Sequence, residues 1–135
     1  MKRLSAIFMG LLLAATSAFA GGDKTAGIQI IHNSADPAAE TVDIYVNGEL
    51  FRDDFAFRTA TEFVEVPART DINVGIAPGS SVSVDDTLAN FVLNLRPRTN
   101  YVAMATGVLG NGFADNPDGR STAFTVELRD RKSTR

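Results

Sequence analysis

Val42-Asp43-Ile44-Tyr45-Val46-Asn47-Gly48 decides the fold. The apolar residues Val42, Ile44 and Val46 alternate with Asp43 and Tyr45, the period of a half-buried strand; an amphipathic helix would repeat its apolar residues every three to four positions. Asn47-Gly48 follows at once, and this dipeptide is the strongest short-range signal for a two-residue hairpin because both residues accept positive φ. Leu50 and Phe51 open the return strand.

The same period continues on both sides. Ile28 and Ile30 flank Gln29, and the polar run His32-Asn33-Ser34 with Asp36-Pro37 ends that strand in a turn. Downstream, Phe63-Val64-Glu65-Val66 stops at Pro67, and Ile72, Val74 and Ile76 alternate with Asn73 and Gly75 up to Pro78-Gly79. Val82 and Val84 precede Asp85-Asp86, and Phe91, Leu93 and Leu95 precede Arg96-Pro97. Tyr101 to Thr106 makes a mostly apolar strand, and Phe124, Val126 and Leu128 make the last. About seven to nine short strands separated by turn signals predict an all-β, antiparallel sandwich. Two segments fall outside the pattern: Ala38–Thr41, and the long connection Gly107–Ser121 with four glycines and Pro117. A connection of that length in a compact domain is usually functional or mobile, which makes it the first place to look for a site.

Residues 1–20 have a different character. Lys2 and Arg3 give a positive start, Ile7–Ala15 an apolar stretch, and Ala18-Phe19-Ala20 a small-x-small cleavage site, so they read as a signal peptide cleaved after Ala20. The expected organisation is signal peptide 1–20, sandwich domain 21–130 and a flexible basic tail 131–135. No later segment is apolar enough to span a bilayer, so no stable membrane span is expected once the signal is cleaved. Removing Lys2 and Arg3 leaves 11 of the 13 basic residues against 16 acidic ones, a net charge of −5. Such a domain repels phosphate backbones, and nucleic acid is not an expected partner. Cysteine is absent, which excludes disulfides, thiolate metal sites, a cysteine nucleophile and lipid attachment at a cysteine after the signal.

The residues that carry chemistry are few. His32 is the only histidine; with Asp36 four positions on it would have to serve as the base of any triad, and no serine stands in a nucleophile elbow for it to activate. One histidine and no cysteine cannot supply a zinc site. Calcium takes oxygen ligands, and Asp115, Asn116 and Asp118 concentrate them in the long connection, although the EF-hand spacing fails: Ala114 falls where the first carboxylate belongs and Thr125 where the last belongs. A plain Asn-Pro-Asp-Gly turn is the simpler reading of those residues. Asp53-Asp54 and Asp85-Asp86 are adjacent, and adjacent residues of a strand point to opposite faces, so both pairs read as solvated turn acids. Tyr45, out of phase with its apolar neighbours, reads as a packing residue.

Ile30-Ile31-His32-Asn33-Ser34-Ala35-Asp36-Pro37 followed by Val42-Asp43-Ile44-Tyr45-Val46-Asn47-Gly48 resembles the opening signature of a secreted bacterial family, the domain of unknown function numbered 4397. Phe55–Thr61 is similar to its Phe-Gly-x-x-Thr element, and Tyr101–Gly107 to its Tyr-Thr-Val-x-Ala-x-Gly strand. The likeness spans about residues 27–128. Ala35 stands where the family turn has its first proline, Ala39-Glu40-Thr41 lengthens the approach to Val42, and Arg69-Thr70 replaces a common glycine. The resemblance implies an immunoglobulin-like β-sandwich on exported bacterial proteins, with no catalytic residues to carry over; it marks His32, Asp36, Pro37, Asp43, Tyr45 and Gly48 as structural signature residues.

The function expected is a non-enzymatic exported module, periplasmic or extracellular, with an interaction or structural role toward a protein or glycan of the cell envelope and no cofactor. Two alternatives stand beside it: a calcium-stabilised surface adhesion domain using the 107–121 loop, and a hydrolase using His32.

Overall fold

A computed structural model describes residues 24–131, and the expected signal peptide lies outside them. Eight strands run in chain order: β1 Thr25–His32, β2 Thr41–Val46, β3 Glu49–Ala56, β4 Val64–Pro67, β5 Asp71–Pro78, β6 Ala89–Asn94, β7 Asn100–Thr106 and β8 Thr125–Arg131. They form two four-stranded sheets, β4-β1-β7-β8 and β3-β2-β5-β6. The inward residues alternate as the sequence predicts. Ile28, Ile30 and Ala103 from one sheet and Val42, Ile44, Ile72, Val74 and Ile76 from the other belong to a single buried core, which supplies the main driving force for folding. No helix among the described residues is long and apolar enough to cross a membrane.

The hairpin forms as expected, with Asn47 at φ 51° and Gly48 at φ 86° joining β2 to β3. Tyr101, at the start of β7, accepts the Arg96 backbone N–H on its hydroxyl at 3.1 Å. A tyrosine tied back to backbone a few residues upstream is the tyrosine corner of immunoglobulin-like sandwiches.

Four details differ from the expectation. The sheets are not wholly antiparallel, because β1 pairs with β7 in parallel, Ile28 opposite Tyr101 and Ile30 opposite Ala103. Alternation identifies a strand but not its partner, and parallel neighbours need a long connection, here all of residues 33–99. The Val82-Ser83-Val84 stretch is not a strand. Ser83 caps a 3-10 turn over Val84–Asp86, its side chain accepting the Asp85 N–H while the Asp86 side chain accepts the Ser83 N–H; Val82 is 91% exposed. Pro37–Ala39 is likewise a 3-10 turn, capped by Asp36, and β8 runs one residue past the expected domain boundary, to Arg131.

Candidate functional site

The polar signature side chains His32, Asp36, Asp43 and Tyr45 gather into two buried clusters, while Pro37 and Gly48 are exposed. The first lies where the chain leaves β1. His32 is 1% exposed, its ring stacked on Phe55 and met edge-on by Phe57, both at 6.0 Å between centroids. The Ser34 backbone N–H donates to His32 Nδ1 at 3.3 Å, so the proton of the neutral ring sits on Nε2, which donates to the Ala39 carbonyl at 2.7 Å. Burial holds the imidazole pKa below the ordinary histidine value, with the Ala39 hydrogen bond opposing it. The ring is therefore neutral at physiological pH, and both its nitrogens are engaged.

Asp36 extends this cluster. One carboxylate oxygen accepts the Ala38 N–H at 2.8 Å; the other accepts the N–H groups of Leu109 and Gly110 at 2.8 and 3.2 Å. The bond from Ala38, followed by those from Leu109 and Gly110, holds the Asp36 carboxyl below the usual carboxylate range, as expected when hydrogen bonds favour the charged form. Ser34 Oγ donates to the Gly107 carbonyl at 2.6 Å. The start of the long 107–121 connection is thus tied to the turn after β1. Gly107 itself has φ +83°, and a Cβ there would lie 2.3 Å from the Ala123 carbonyl oxygen, so glycine is required.

The second cluster lies on the outer face of the other sheet. Asp43 and Tyr45 point away from the core, yet they are 1% and 6% exposed because the β5–β6 connection folds back across them. Ser81 Oγ donates to Asp43 Oδ2, and the Tyr45 hydroxyl in turn donates to Ser81 Oγ at 3.0 Å. Asp43 Oδ1 accepts the Asp54 N–H at 2.9 Å. That bond exists because β3 is bulged. Val42 pairs with Phe55 but Ile44 with Arg52, so Asp53 and Asp54 both stand opposite Asp43, with Asp54 at φ 52°.

Asp53 and Asp54 are exposed, as expected of solvated acids, but they lie in strand β3 and not in a turn, and the bulge brings them beside Asp43. Asp43, Asp53 and Asp54 each offer an oxygen within 4.8 Å of the others. Partial burial, and then the charges of Asp43 and Asp54, push the Asp53 pKa up. Oxygen donors of this kind suit a hard divalent cation, but both Asp43 oxygens already accept hydrogen bonds from the fold. The sequence carried no signal for the bulge: the unbroken register of the Asn47-Gly48 hairpin, Val46 opposite Glu49 and Tyr45 opposite Leu50, would set Asp43 opposite Arg52, a favourable pair of opposite charges.

The residues of the alternative calcium reading lie elsewhere. Asn116 Oδ1 accepts the Asp118 N–H at 2.8 Å, and the Asn116 carbonyl accepts the Gly119 N–H at 2.8 Å; Gly119 has φ +73°. This is the Asn-Pro-Asp-Gly turn, with the Asn116 side-chain oxygen engaged in closing it and Asp115 and Asp118 exposed. Asp85 and Asp86 lie in the capped 3-10 turn.

Pro37 opens the 3-10 turn that presents the Ala39 carbonyl to His32. A model of the family described as Domain of unknown function (DUF4397) matches residues 26–129, most of the chain and every strand but the ends of two. A comparison with curated proteins finds no match.

Proposed function

The chain belongs to the DUF4397 family, and from that premise we propose that it is a non-enzymatic interaction or structural module working outside the cytoplasm, toward a protein or glycan of the cell envelope. One observation carries the proposal. The polar signature side chains His32, Asp36, Asp43 and Tyr45 are buried and bonded within the domain. A catalytic base must reach a proton on its substrate, whereas His32 Nδ1 and Nε2 face Ser34 and Ala39. The signature therefore builds a rigid frame and leaves recognition to exposed loops. Export rests on the basic, apolar and small-x-small pattern of residues 1–20.

The 107–121 connection is the favoured contact surface, since its root is fixed by Asp36 and Ser34 while Phe113 stands 45% exposed on it. Saturable binding of residues 21–135 to isolated envelope glycans or envelope proteins is expected, weakened by Phe113→Ser without a change in melting temperature. Turnover of a hydrolase substrate that is lost in a folded His32→Gln variant would overturn the reading.

A further inference from the structure

Each sheet has two marginal strands, and three of the four carry features that discourage pairing with another chain. β3 is bulged and presents Arg52, Asp53 and Asp54; β4 has four residues and ends at Pro67; β8 carries Glu127, Arg129, Asp130 and Arg131. Bulges, short strands, proline and charge are the usual means of protecting an edge. β6 has none of them. Its sequence Ala89-Asn90-Phe91-Val92-Leu93-Asn94 is uncharged and free of proline and glycine, and it runs in unbroken register with β5 from Asn94 opposite Asp71 to Ala89 opposite Ile76. Among the described residues no backbone hydrogen bond outside that ladder involves β6. Val92 is 60% exposed on its outer face.

We propose that β6 is a self-association edge, on which the β6 strand of a second copy pairs antiparallel about a two-fold axis at Val92. The strand is complementary to itself in that register. Asn90 faces the partner's Asn94, Phe91 faces the partner's Leu93, and Val92 faces the partner's Val92. Amide meets amide, apolar meets apolar and a β-branched residue meets its own kind, the cross-strand pairs that stabilise sheets. No charge is brought against a like charge, and the two-fold makes the contact closed, so association stops at the dimer. The β3-β2-β5-β6 sheets of two copies would then form one continuous sheet. An extended segment of another protein could use the same edge, but the match of β6 to its own reverse favours a second copy.

Sedimentation of residues 21–135 across a roughly hundredfold concentration range tests the proposal, since a dimer populates by mass action. The expected result is a rise to twice the monomer mass for the wild-type chain, with Val92→Lys monomeric throughout and equal to wild type in melting temperature at dilutions where the wild type is itself monomeric, because that side chain lies on the solvent face. The absence of native cysteine allows a second test. Oxidised Val92→Cys should form a disulfide-linked dimer, whereas Val82→Cys, though more exposed, should not. A wild-type chain that stays monomeric at every concentration overturns the proposal and leaves the edge to a foreign segment. Equal dimerisation by Val92→Lys, or equal crosslinking at both cysteines, overturns it as well.

Discussion

Replacing His32 with alanine tests whether the signature histidine is a structural pin. The ring fills a space between Phe55 and Phe57, and its removal leaves the Ala39 carbonyl without its donor and the Ser34 N–H without its acceptor. Truncation of a large buried side chain to alanine costs about 2–5 kcal/mol, and an unsatisfied buried polar group adds about 1–3 kcal/mol where water does not enter. With water entering the vacated space, a total near 3–5 kcal/mol is expected, which for about 100 residues lowers the melting temperature by roughly 12–30 °C. Urea and thermal unfolding followed by circular dichroism measure it. The pH dependence has a defined sign. Burial depresses the folded-state pKa of His32, so the unfolded chain binds its proton more readily; His32's contribution is full above about pH 6.5 and is lost as pH falls toward the folded value. Wild-type stability should therefore fall between pH 7 and pH 5 more steeply than that of His32→Gln, which has no ring to titrate. A loss below about 1 kcal/mol on truncation, or equal pH slopes in the two proteins, would refute the assignment.

Tyr45→Phe removes one neutral hydrogen bond to Ser81 and should cost about 0.5–1.5 kcal/mol. Asp43→Ala frees both Ser81 and the Asp54 N–H, so it should cost more and raise amide exchange over residues 79–88 and at Asp54; unchanged exchange there would mean that the β5–β6 connection is held by something else. Asp36→Ala releases the Leu109 and Gly110 amides, and limited proteolysis should then cut within 107–121 faster while β2 and β5 stay protected. Calcium and chelator should leave the wild-type melting temperature unchanged, given that Asn116 closes a turn and Asp43 is already bonded; a shift abolished by Asp118→Ala would restore the loop as a metal site, and one abolished by Asp53→Asn would place the metal at the bulge.

Periodicity carried most of the strand assignments because each inward residue of β1, β2, β5 and β7 had to enter one core. It failed where a second signal competed. Val82-Ser83-Val84 alternates like a strand, yet Ser83 with Asp86 three residues on is the capping pattern of a helical turn, and that local hydrogen bonding prevailed. Tyr45 and Asp43 were legible as outward residues, but their burial was not, because it depends on a connection some forty residues later folding across them. The parallel pairing of β1 and β7 is set by contacts distant in sequence, and the convergence of Asp43, Asp53 and Asp54 by a bulge within the hairpin; alternation carries no information on either.

His32 and Asp36 of the signature lie where the chain crosses between the two sheets. The chain passes from one sheet to the other after β1 and returns after β3, and at that end the two crossings lie side by side: His32 N–H donates to the Thr59 carbonyl, Arg58 N–H to the His32 carbonyl and Phe57 N–H to the Glu40 carbonyl. Thr61, also buried there, accepts the Ile30 N–H on Oγ1. Backbone that leaves a ladder still needs partners, and here it finds them in the other crossing, with the His32 ring spanning both through Ala39 and the Phe55 and Phe57 rings. Asp36 then adds the root of the 107–121 connection to the same cluster. The opposite end relies on backbone bonds, Arg69 N–H donating to the Leu95 carbonyl and Arg98 N–H to the Thr25 carbonyl, together with the Tyr101 hydroxyl that accepts the Arg96 N–H. Only the first end also has to anchor a long connection between β7 and β8, which explains why the histidine and aspartate of the signature lie there and why their removal should loosen that connection before it unfolds the sheets.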